Sequence, residues 1–197
     1  MIQKNIAPEI IEKAGQIRLL VLDVDGVLTD GSLYFSDSGE SMKVFSTLDG
    51  QGIKMLRNTG VEIAIISGRK SGPLIRRASD LGIVHMQLGR EDKLNALNEL
   101  LATLQFKLQE VAHLGDDLPD LPVMQSVGLG IAVNNAYELV KQRADWCTEK
   151  KGGAGAVREV CDFIMDAQGT LMDQLKPYLT CSKTCSKTCS KNNDSYQ

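Results

Sequence analysis

Four short groups of polar residues in this sequence have the types and spacings that phosphate or metal chemistry requires. They are Asp23-Val24-Asp25, Ser67-Gly68-Arg69, Lys93, and Gly115-Asp116-Asp117-Leu118-Pro119-Asp120. In an extended chain, Asp23 and Asp25 project to the same side, so that two carboxylates face one point. Close carboxylates repel each other, and a divalent cation removes that conflict. Ligands that are all oxygen atoms favour Mg²⁺ over zinc.

The other groups supply hydrogen-bond donors and further carboxylates. Ser67-Gly68-Arg69 offers a hydroxyl, a flexible backbone N–H and a guanidinium, which suit a phosphoryl oxygen or another anion. Lys93 adds an ammonium that balances such an anion. Asp116, Asp117 and Asp120 crowd the start of a predicted helix, although one carboxylate would suffice to cap it. These side chains therefore predict a site that combines anion binding with metal binding.

Each group follows a segment that we expect to be a buried strand. The predicted strands are Arg18–Val24, Val61–Ile66, Ile83–Gln87, Val111–Leu114, Gly128–Val133 and Trp146–Thr148. The predicted helices are Gly50–Asn58 with Asp49 as its cap, one after Pro73 that ends near Gly82, Asp92–Leu104, Pro119–Gln125, Ala136–Arg143 and Ala154–Gln168. Strands that alternate with helices predict an α/β fold with a doubly wound parallel sheet. Ligands of such sheets bind beyond the carboxyl ends of the strands, where these polar groups would meet.

A β-hairpin is expected between the first strand and the first helix. Leu33–Phe35 and Met42–Phe45 flank Ser36-Asp37-Ser38-Gly39, a cluster of turn-forming residues. This hairpin, about residues 32–46, and one helix account for the chain between Asp25 and Ser67. Too few residues then remain for a helical cap domain.

Length and composition indicate one globular domain followed by a tail. The chain has 197 residues, of which 43% are hydrophobic, and a net charge of −3. We expect the domain to span residues 1–179, and residues 180–197, which contain three Thr-Cys-Ser-Lys repeats, to be disordered. The acidic balance argues against nucleic-acid or membrane binding through bulk charge. Met1–Gly15 lacks the apolar region of a secretory signal, so a cytoplasmic protein is expected.

Taken in order along the chain, these groups resemble the motifs of the haloacid dehalogenase-like (HAD) phosphohydrolases, from about Ile17 to Gly169. More narrowly, the sequence is similar to the small capless branch that contains the phosphatases of 3-deoxy-D-manno-octulosonate 8-phosphate (KDO 8-P). The segments that carry this similarity are Asp23–Gly31, Asp49–Ile53, Ile65–Arg69, Gly115–Asp120 and Gly152–Glu159. The resemblance implies a HAD-like Rossmannoid fold and Mg²⁺-dependent hydrolysis of KDO 8-P to KDO and inorganic phosphate, a step of lipopolysaccharide synthesis.

The resemblance also implies roles for individual residues. Asp23 would be the nucleophile, which forms an aspartyl phosphate, and Asp25 the general acid and base. Mg²⁺ would be held by Asp23, Asp116 and the backbone carbonyl of Asp25, while Ser67 and Lys93 would hold the phosphoryl oxygens. The residues that match the family's contacts with the sugar acid are Asp25, Ser46, Thr47, Leu48, Asp49, Gly50, Lys54, Arg69, Arg77, Lys93 and Asp117.

In this family the hairpin builds a homotetramer in which a neighbouring subunit closes each site. This sequence departs from the family in two places. Leu48 stands where the family usually has Arg, and the Thr-Cys-Ser-Lys tail is foreign to it. His85 and His113 are interpreted as structural, because the implied chemistry needs no histidine.

Three alternatives to KDO 8-P hydrolysis remain open from the sequence. The first is a phosphatase for a nine-carbon sugar-acid 9-phosphate on the same site, which the loss of a cation at Leu48 favours. The second is a receiver-like phosphoacceptor module, which would place its acceptor Asp at the end of a middle strand. The third is a catalytically lapsed domain kept for oligomerisation, against which the intact set of polar groups argues.

Overall fold

The protein folds as a six-stranded parallel sheet with helices on both faces, which confirms the predicted doubly wound α/β architecture. The computed structural model describes residues 6–37 and 39–179. The strands are β1 (Leu19–Leu22), β2 (Tyr34–Ser36), β3 (Gly39–Met42), β4 (Glu62–Ser67), β5 (His85–Leu88), β6 (Val111–Gly115), β7 (Leu129–Ala132) and β8 (Trp146–Cys147). The helices are α1 (Pro8–Gly15), α2 (Thr47–Asn58), α3 (Gly72–Leu81), α4 (Lys93–Leu104), α5 (Leu121–Met124), α6 (Glu138–Arg143), α7 (Ala156–Ala167) and α8 (Leu171–Leu179).

Strand β1 lies in the middle of the sheet, in the order β5-β4-β1-β6-β7-β8. Its four residues are apolar and fully buried, as a strand covered on both faces requires. Leu20 and Leu22 join the core under α2 and α7, whereas Leu19 and Val21 join the core under α4. Because β1 pairs in parallel with β4 and β6, the loops after these three strands leave the sheet side by side.

The hairpin is present, but its second strand begins earlier than predicted. Strands β2 and β3 pair antiparallel as a separate two-stranded sheet. The prediction of Met42–Phe45 for the returning strand was wrong, because Gly39, at a φ of 107°, lets the chain reverse and pair at once. Among the described residues between β1 and β4, only this hairpin and α2 form regular structure, which leaves no room for a cap domain.

The start of α2 also differs from the prediction. Ser46, not Asp49, caps the helix, and its Oγ accepts the Asp49 N–H at 3.4 Å. Asp49 is buried inside the first turn, where its carboxylate accepts the N–H of Arg158 on α7 at 2.8 Å. The capping carboxylate that the sequence indicated is thus used to join two helices that pack together.

Three further helical segments depart from the sequence-based expectation. The predicted helix Pro119–Gln125 is a 3₁₀ turn, Leu118–Asp120, followed by the single-turn α5. Helices α1 and α8 were not predicted, and Pro177 lies inside α8. The expected disorder of residues 180–197, with Cys181, Cys185 and Cys189, lies outside the described residues. Within the described part of the chain, no helix has the length and apolar character to cross a bilayer.

Candidate active site

A cleft of about 740 Å³ opens at the carboxyl ends of β1, β4 and β6. It lies where a doubly wound sheet is expected to bind its ligands. The loops after these strands and the start of α4 supply its walls. The lining residues are Asp23, Asp25, Ser67, Gly68, Arg69, Glu91, Lys93, Asp116, Asp117, Pro119 and Asp120. The structure therefore brings together all four polar groups that the sequence singled out.

Asp23 and Lys93 form a buried ion pair at the base of the cleft. Asp23 follows β1 directly and is 6% exposed. The Lys93 Nζ, from the first residue of α4, lies 2.9 Å from the Asp23 Oδ1. Burial and the charge of Asp120 raise the pKa of Asp23, and Lys93 opposes that shift. Burial lowers the pKa of Lys93, but the charges of Asp23 and Asp120 outweigh it, so the net shift is upward and the ammonium stays charged.

Asp120 joins three parts of the site through both of its carboxylate oxygens. Its Oδ1 accepts from Lys93 Nζ at 2.7 Å and lies 2.9 Å from the Nε2 of His113 on β6. Its Oδ2 accepts the backbone N–H groups of Asp116 and Asp117 at 3.2 and 3.3 Å. Burial raises the pKa of Asp120, but His113 and Lys93 outweigh it and hold that pKa well below its usual range. Asp120 is therefore an ionised acceptor without a free oxygen.

Asp116 has one carboxylate oxygen that lacks a hydrogen-bond partner within the described part of the chain. Its Oδ1 is buried and has no hydrogen-bond partner among the described residues. Burial, followed by the charges of Asp23 and Asp120, raises the pKa of Asp116 to about 8. A carboxyl group in this environment stays protonated near neutral pH unless a cation approaches it.

The arrangement fits a divalent metal ion. One carboxylate oxygen each of Asp23, Asp116 and Asp120 lies within 4.8 Å of the others. Both oxygens of Asp120 already accept hydrogen bonds, whereas the buried Oδ1 of Asp116 accepts none from the described residues, so Asp116 with the neighbouring Asp23 is the better candidate to bind a cation. The lining also carries six carboxylates and two cationic side chains, so a phosphate group could enter only with a compensating positive charge. Oxygen ligands of this kind suit Mg²⁺.

Asp25 lies at the side of the cleft and is held by a residue of the hairpin region. The expectation of extended backbone from Asp23 to Asp25 was wrong, because the chain bends at Val24 and enters a turn at Asp25. Both carboxylates nevertheless line the cleft. Lys43, one residue after β3, is buried and forms an ion pair with the Asp25 Oδ1, while Arg69 Nε lies 3.7 Å from its other oxygen. The general-acid candidate is thus tied to the hairpin.

Two glycines allow the turn after β1 to approach the rest of the site. Gly26 has a φ of 99°, and a Cβ there would lie 2.1 Å from the Asp116 Oδ2. Gly152, in the loop before α7, would place a Cβ 1.6 Å from the backbone oxygen of Gly26. Any side chain at either position would push the loop after β1 away from its neighbours. The start of the Gly152–Glu159 segment therefore packs directly against the loop after β1.

Seven of the residues matched to sugar-acid contacts do not line this cleft. Ser46, Thr47, Leu48, Asp49, Gly50 and Lys54 lie in or next to the first two turns of α2, and Arg77 lies on α3. The Arg77 Nη2 donates to the Ser46 carbonyl at 3.2 Å. Leu48 lines a separate groove of about 560 Å³ together with Trp146 and Arg158. Their roles in binding stay predictions.

Sequence reasoning assigned no role to three polar residues whose side chains contact residues of this site. Lys43 lies within a segment that was predicted to be a strand, and no local sequence pattern indicates its ion pair with Asp25. Asp120 was noted as a third carboxylate but received no role, although its position four residues after Asp116 suits a hydrogen bond to that loop. His113 sits in an otherwise apolar strand, and an isolated buried histidine next to an Asp-rich loop was the signal that could have identified it.

Comparison with known proteins agrees with the fold and the site. Residues 79–160 match the family model of the haloacid dehalogenase-like hydrolases. A 3-deoxy-D-manno-octulosonate 8-phosphate phosphatase from Yersinia pestis is 49% identical over 166 residues, which cover 84% of this chain and 89% of that protein. A crystal structure of 3-deoxy-D-manno-octulosonate 8-phosphate phosphatase from Yersinia pestis matches this chain with a TM-score of 0.83 and 49% identity. The match covers 85% of this chain and 90% of the chain in that crystal structure.

A second solved structure contains ligands. The KDO 8-P phosphatase from Moraxella catarrhalis, in complex with magnesium, phosphate and KDO, has a TM-score of 0.84 and 42% identity. The match covers 86% of this chain and 98% of that one. The chain belongs to the haloacid dehalogenase-like hydrolases, within the family of the KDO 8-P phosphatases.

Proposed function

We propose that this protein is a Mg²⁺-dependent phosphatase that hydrolyses KDO 8-P to KDO and inorganic phosphate. The observation that carries the proposal is Asp23, a buried carboxylate paired with Lys93 at 2.9 Å and close to Asp116, whose buried Oδ1 lacks a hydrogen-bond partner among the described residues. Phosphoryl transfer depends mainly on positioning and on stabilisation of charge, and this cleft supplies a fixed nucleophile and a fixed cation. The Yersinia pestis and Moraxella catarrhalis relatives, which match most of the chain, are named for this activity.

In the proposed first step, a carboxylate oxygen of Asp23 attacks the phosphorus of the substrate. A bond forms between that oxygen and phosphorus, and the bond from phosphorus to the sugar oxygen breaks. Asp25 transfers its proton to the departing sugar oxygen, which leaves as the alcohol. Lys93 and the Ser67 hydroxyl, both lining the cleft, hold the phosphoryl oxygens.

In the proposed second step, water hydrolyses the aspartyl phosphate. The Asp25 carboxylate accepts a proton from the attacking water, whose oxygen forms the new bond to phosphorus. The bond from phosphorus to the Asp23 oxygen breaks, which regenerates the carboxylate and releases inorganic phosphate. Lys43 holds Asp25 at the side of the cleft through both proton transfers.

Asp23 and Asp116 would hold Mg²⁺ through their carboxylates, with the backbone carbonyl of Asp25 as the third ligand that the family pattern implies. The ion supplies positive charge that neutralises the phosphate. The raised pKa of Asp116 and its unpartnered Oδ1 support this assignment, because a bound cation would resolve both.

Recognition of the sugar acid is proposed to use Arg69 and Asp117 from the cleft, together with the α2 group and Arg77. Arg69 is half exposed, and its guanidinium fork suits a carboxylate. The second candidate substrate is a nine-carbon sugar-acid 9-phosphate. Leu48 favours it, because an exposed leucine replaces the cation that the family usually places before Asp49.

A homotetramer with sites closed by a neighbouring subunit is part of this proposal. The hairpin exposes Tyr34, Phe35 and Met42 at 42%, 62% and 54%, and Val44 follows at 55%. An apolar surface of this kind is typical of a subunit interface. We expect F35E to lower the molar mass measured by light scattering, whereas an unchanged mass would argue against hairpin contacts. The free, buried thiol of Cys161 fits the proposed cytoplasmic location.

The test is phosphate release from KDO 8-P and from a nine-carbon sugar-acid 9-phosphate, each with Mg²⁺ and with EDTA. We expect Mg²⁺-dependent turnover with preference for the eight-carbon substrate. Preference for the nine-carbon acid would transfer the assignment to the second candidate. No turnover of either phosphate by the folded, Mg²⁺-binding protein would overturn the phosphatase proposal and revive the signalling and lapsed-domain alternatives.

A further inference from the structure

His113 is a buried polar residue that the proposed reaction does not use. It lies in the middle of β6 and is 0% exposed, between Ala112 and Leu114 of an otherwise apolar strand. Its register partners are Val21 on β1 and Gly130 on β7. An apolar side chain would fill this position without the free-energy cost of burying an imidazole. The polar contacts of the ring must therefore offset that cost.

The ring reaches the carboxylate that organises the cleft. The His113 Nε2 lies 2.9 Å from the Oδ1 of Asp120, which also accepts from Lys93 at 2.7 Å. Lys93 in turn lies 2.9 Å from Asp23. A continuous chain of polar contacts therefore runs from the centre of the sheet to the nucleophile candidate.

The partners of the ring determine which nitrogen carries the proton. Both oxygens of Asp120 accept hydrogen bonds, from Lys93 and from the backbone N–H groups of Asp116 and Asp117, so the Nε2 must be the donor in its contact with Asp120. The Nδ1 is buried and has no hydrogen-bond partner among the described residues. A neutral ring protonated at Nε2 leaves only an unused lone pair at Nδ1, whereas a proton there would be an unsatisfied buried donor. The geometry thus assigns the ring proton of His113 to Nε2.

We propose that His113 is a positioning residue, which fixes the orientation of Asp120 through its Nε2–H. Asp120 then holds Lys93 against Asp23 with one oxygen and the backbone N–H groups of Asp116 and Asp117 with the other. Without the Nε2–H, Asp120 can rotate about its side-chain bonds, and both connections loosen together. His113 itself touches neither substrate nor metal.

Two substitutions at this position separate hydrogen bonding from packing. His113→Leu removes the donor and keeps an apolar side chain, whereas His113→Gln keeps an N–H at the position of Nε2 along the side chain. The matched control is His85→Leu. His85 lies on β5, is partly exposed, and its Nε2 is 3.8 Å from Glu62, away from the cleft.

The kinetic arm measures kcat and KM for KDO 8-P, and this arm alone rests on the proposed function. Substitution of a group that orients a site residue typically costs about 10–100-fold in activity. We expect H113L to lose kcat on that order, with KM changed less than about threefold. H113Q should recover most of that loss, and H85L should match the unsubstituted protein. A KM change without a kcat change would overturn the proposal, as would equal losses in H113L and H113Q.

The second arm measures Mg²⁺ binding by calorimetry and needs no substrate. Because Asp120 anchors the backbone around Asp116, we expect H113L to bind Mg²⁺ about tenfold more weakly, with H113Q and H85L close to the unsubstituted protein. Unchanged Mg²⁺ affinity in folded H113L would overturn the proposal. If the unsubstituted protein does not hydrolyse KDO 8-P, the proposed function fails, while this arm still decides the role of His113.

Nitrogen-15 NMR of the unsubstituted protein gives a result that does not depend on the folding of any variant. We expect the His113 ring to show the Nε2–H tautomer, with a ring proton protected from exchange. A proton on Nδ1 would overturn the proposal.

Discussion

The cleft at the carboxyl ends of β1, β4 and β6 and a second set of surface residues, on the hairpin and on the first turn of α2, are built in opposite ways. In the cleft, Asp23, Lys93 and Asp120 are almost fully buried and linked to one another by ion pairs below 3 Å. At the other surface, Phe35 and Leu48 are about 60% exposed. The first region is preorganised for chemistry, and the second presents apolar side chains to whatever covers it.

This contrast indicates a division of function between the two regions. Preorganised charges act strongly because they need no rearrangement during the reaction, and one chain supplies all of those in the cleft. Selection among sugar acids is proposed to depend also on residues of α2 and α3, which lie outside the cleft lining in the single chain. Changes in the cleft should therefore alter rate by large factors, and changes at the other surface should alter selectivity by small ones.

The largest effect is expected for Lys93→Met. The substitution removes the cation between Asp23 and Asp120 and leaves two buried carboxylates facing each other. We expect kcat to fall about 10²–10³-fold, since a single group that stabilises transition-state charge contributes that much. Phosphate release measures the loss. Lys70→Met, in the exposed loop after β4, is the matched control. Substantial activity in K93M would show that catalysis does not need the ammonium of Lys93.

Asp116→Asn should separate metal-free stability from activity. The pKa of Asp116 is raised from 3.8 to about 8, so the folded state holds a proton that the unfolded state releases at lower pH. Without Mg²⁺, the contribution of Asp116 to stability is therefore greatest below pH 4 and declines as pH rises to about 8. We expect D116N to raise the metal-free Tm at pH 8 by a few °C, roughly 2–4 °C for each kcal/mol, and to leave it unchanged at pH 4.

The activity of D116N and its response to Mg²⁺ complete that test. Turnover should fall by a smaller factor than in K93M, and Mg²⁺ should raise the Tm of the unsubstituted protein but not of D116N. Asp80→Asn, at an exposed surface position on α3, is the control and should change neither property. Equal Mg²⁺ stabilisation of D116N would show that the ion binds elsewhere.

A smaller loss is expected for Lys43→Met, which tests the connection between the two regions. Lys43 belongs to the hairpin region in sequence but pairs with Asp25 in the cleft. Removal of the ammonium frees the general-acid candidate, and we expect kcat to fall about tenfold, as for other groups that orient a site residue. Lys141→Met, which breaks the surface pair with Glu138, should leave kcat unchanged. An unchanged kcat in K43M would show that the ion pair between Lys43 and Asp25 does not contribute to catalysis.

The smallest effect is expected for Leu48→Arg at the other surface. The substitution restores the cation that the family usually carries, in an exposed position where an ion pair contributes about 0.2–1 kcal/mol. We expect the ratio of kcat/KM for the eight-carbon over the nine-carbon substrate to rise less than about fivefold, with kcat nearly constant. Leu48→Met is the control. A large change in kcat would show that Leu48 affects the chemistry in the cleft and not only the choice of substrate.

The sequence predicted the central part of the fold because that part follows simple patterns. The buried apolar run of β1 and the polar groups after β1, β4 and β6 were sufficient to locate the cleft. Errors occurred where tertiary contacts override local signals. Asp49 looks like a cap, but burial against α7 reassigns it to the N–H of Arg158. Helix α8 contains Pro177, which ordinarily argues against a helix.

The residues missed in the site share a different reason. Lys43 and Asp25 are 18 positions apart, and Asp120 and Lys93 are 27 apart, so no local period connects them. A role for His113 is visible only in the folded protein, where its ring contacts the carboxylate of Asp120. Motifs indicate which side chains reach the sheet edge, whereas the partners that orient them depend on packing between distant segments.

The most direct test of the account is to identify which residue carries phosphate during turnover. KDO 8-P and Mg²⁺ are mixed with the protein, the reaction is quenched in acid within the steady state, and peptides are analysed by mass spectrometry. We predict phosphate on Asp23, dependent on Mg²⁺ and absent in Asp23→Asn. Phosphate on another residue, or turnover by D23N at the rate of the unsubstituted protein, would contradict it.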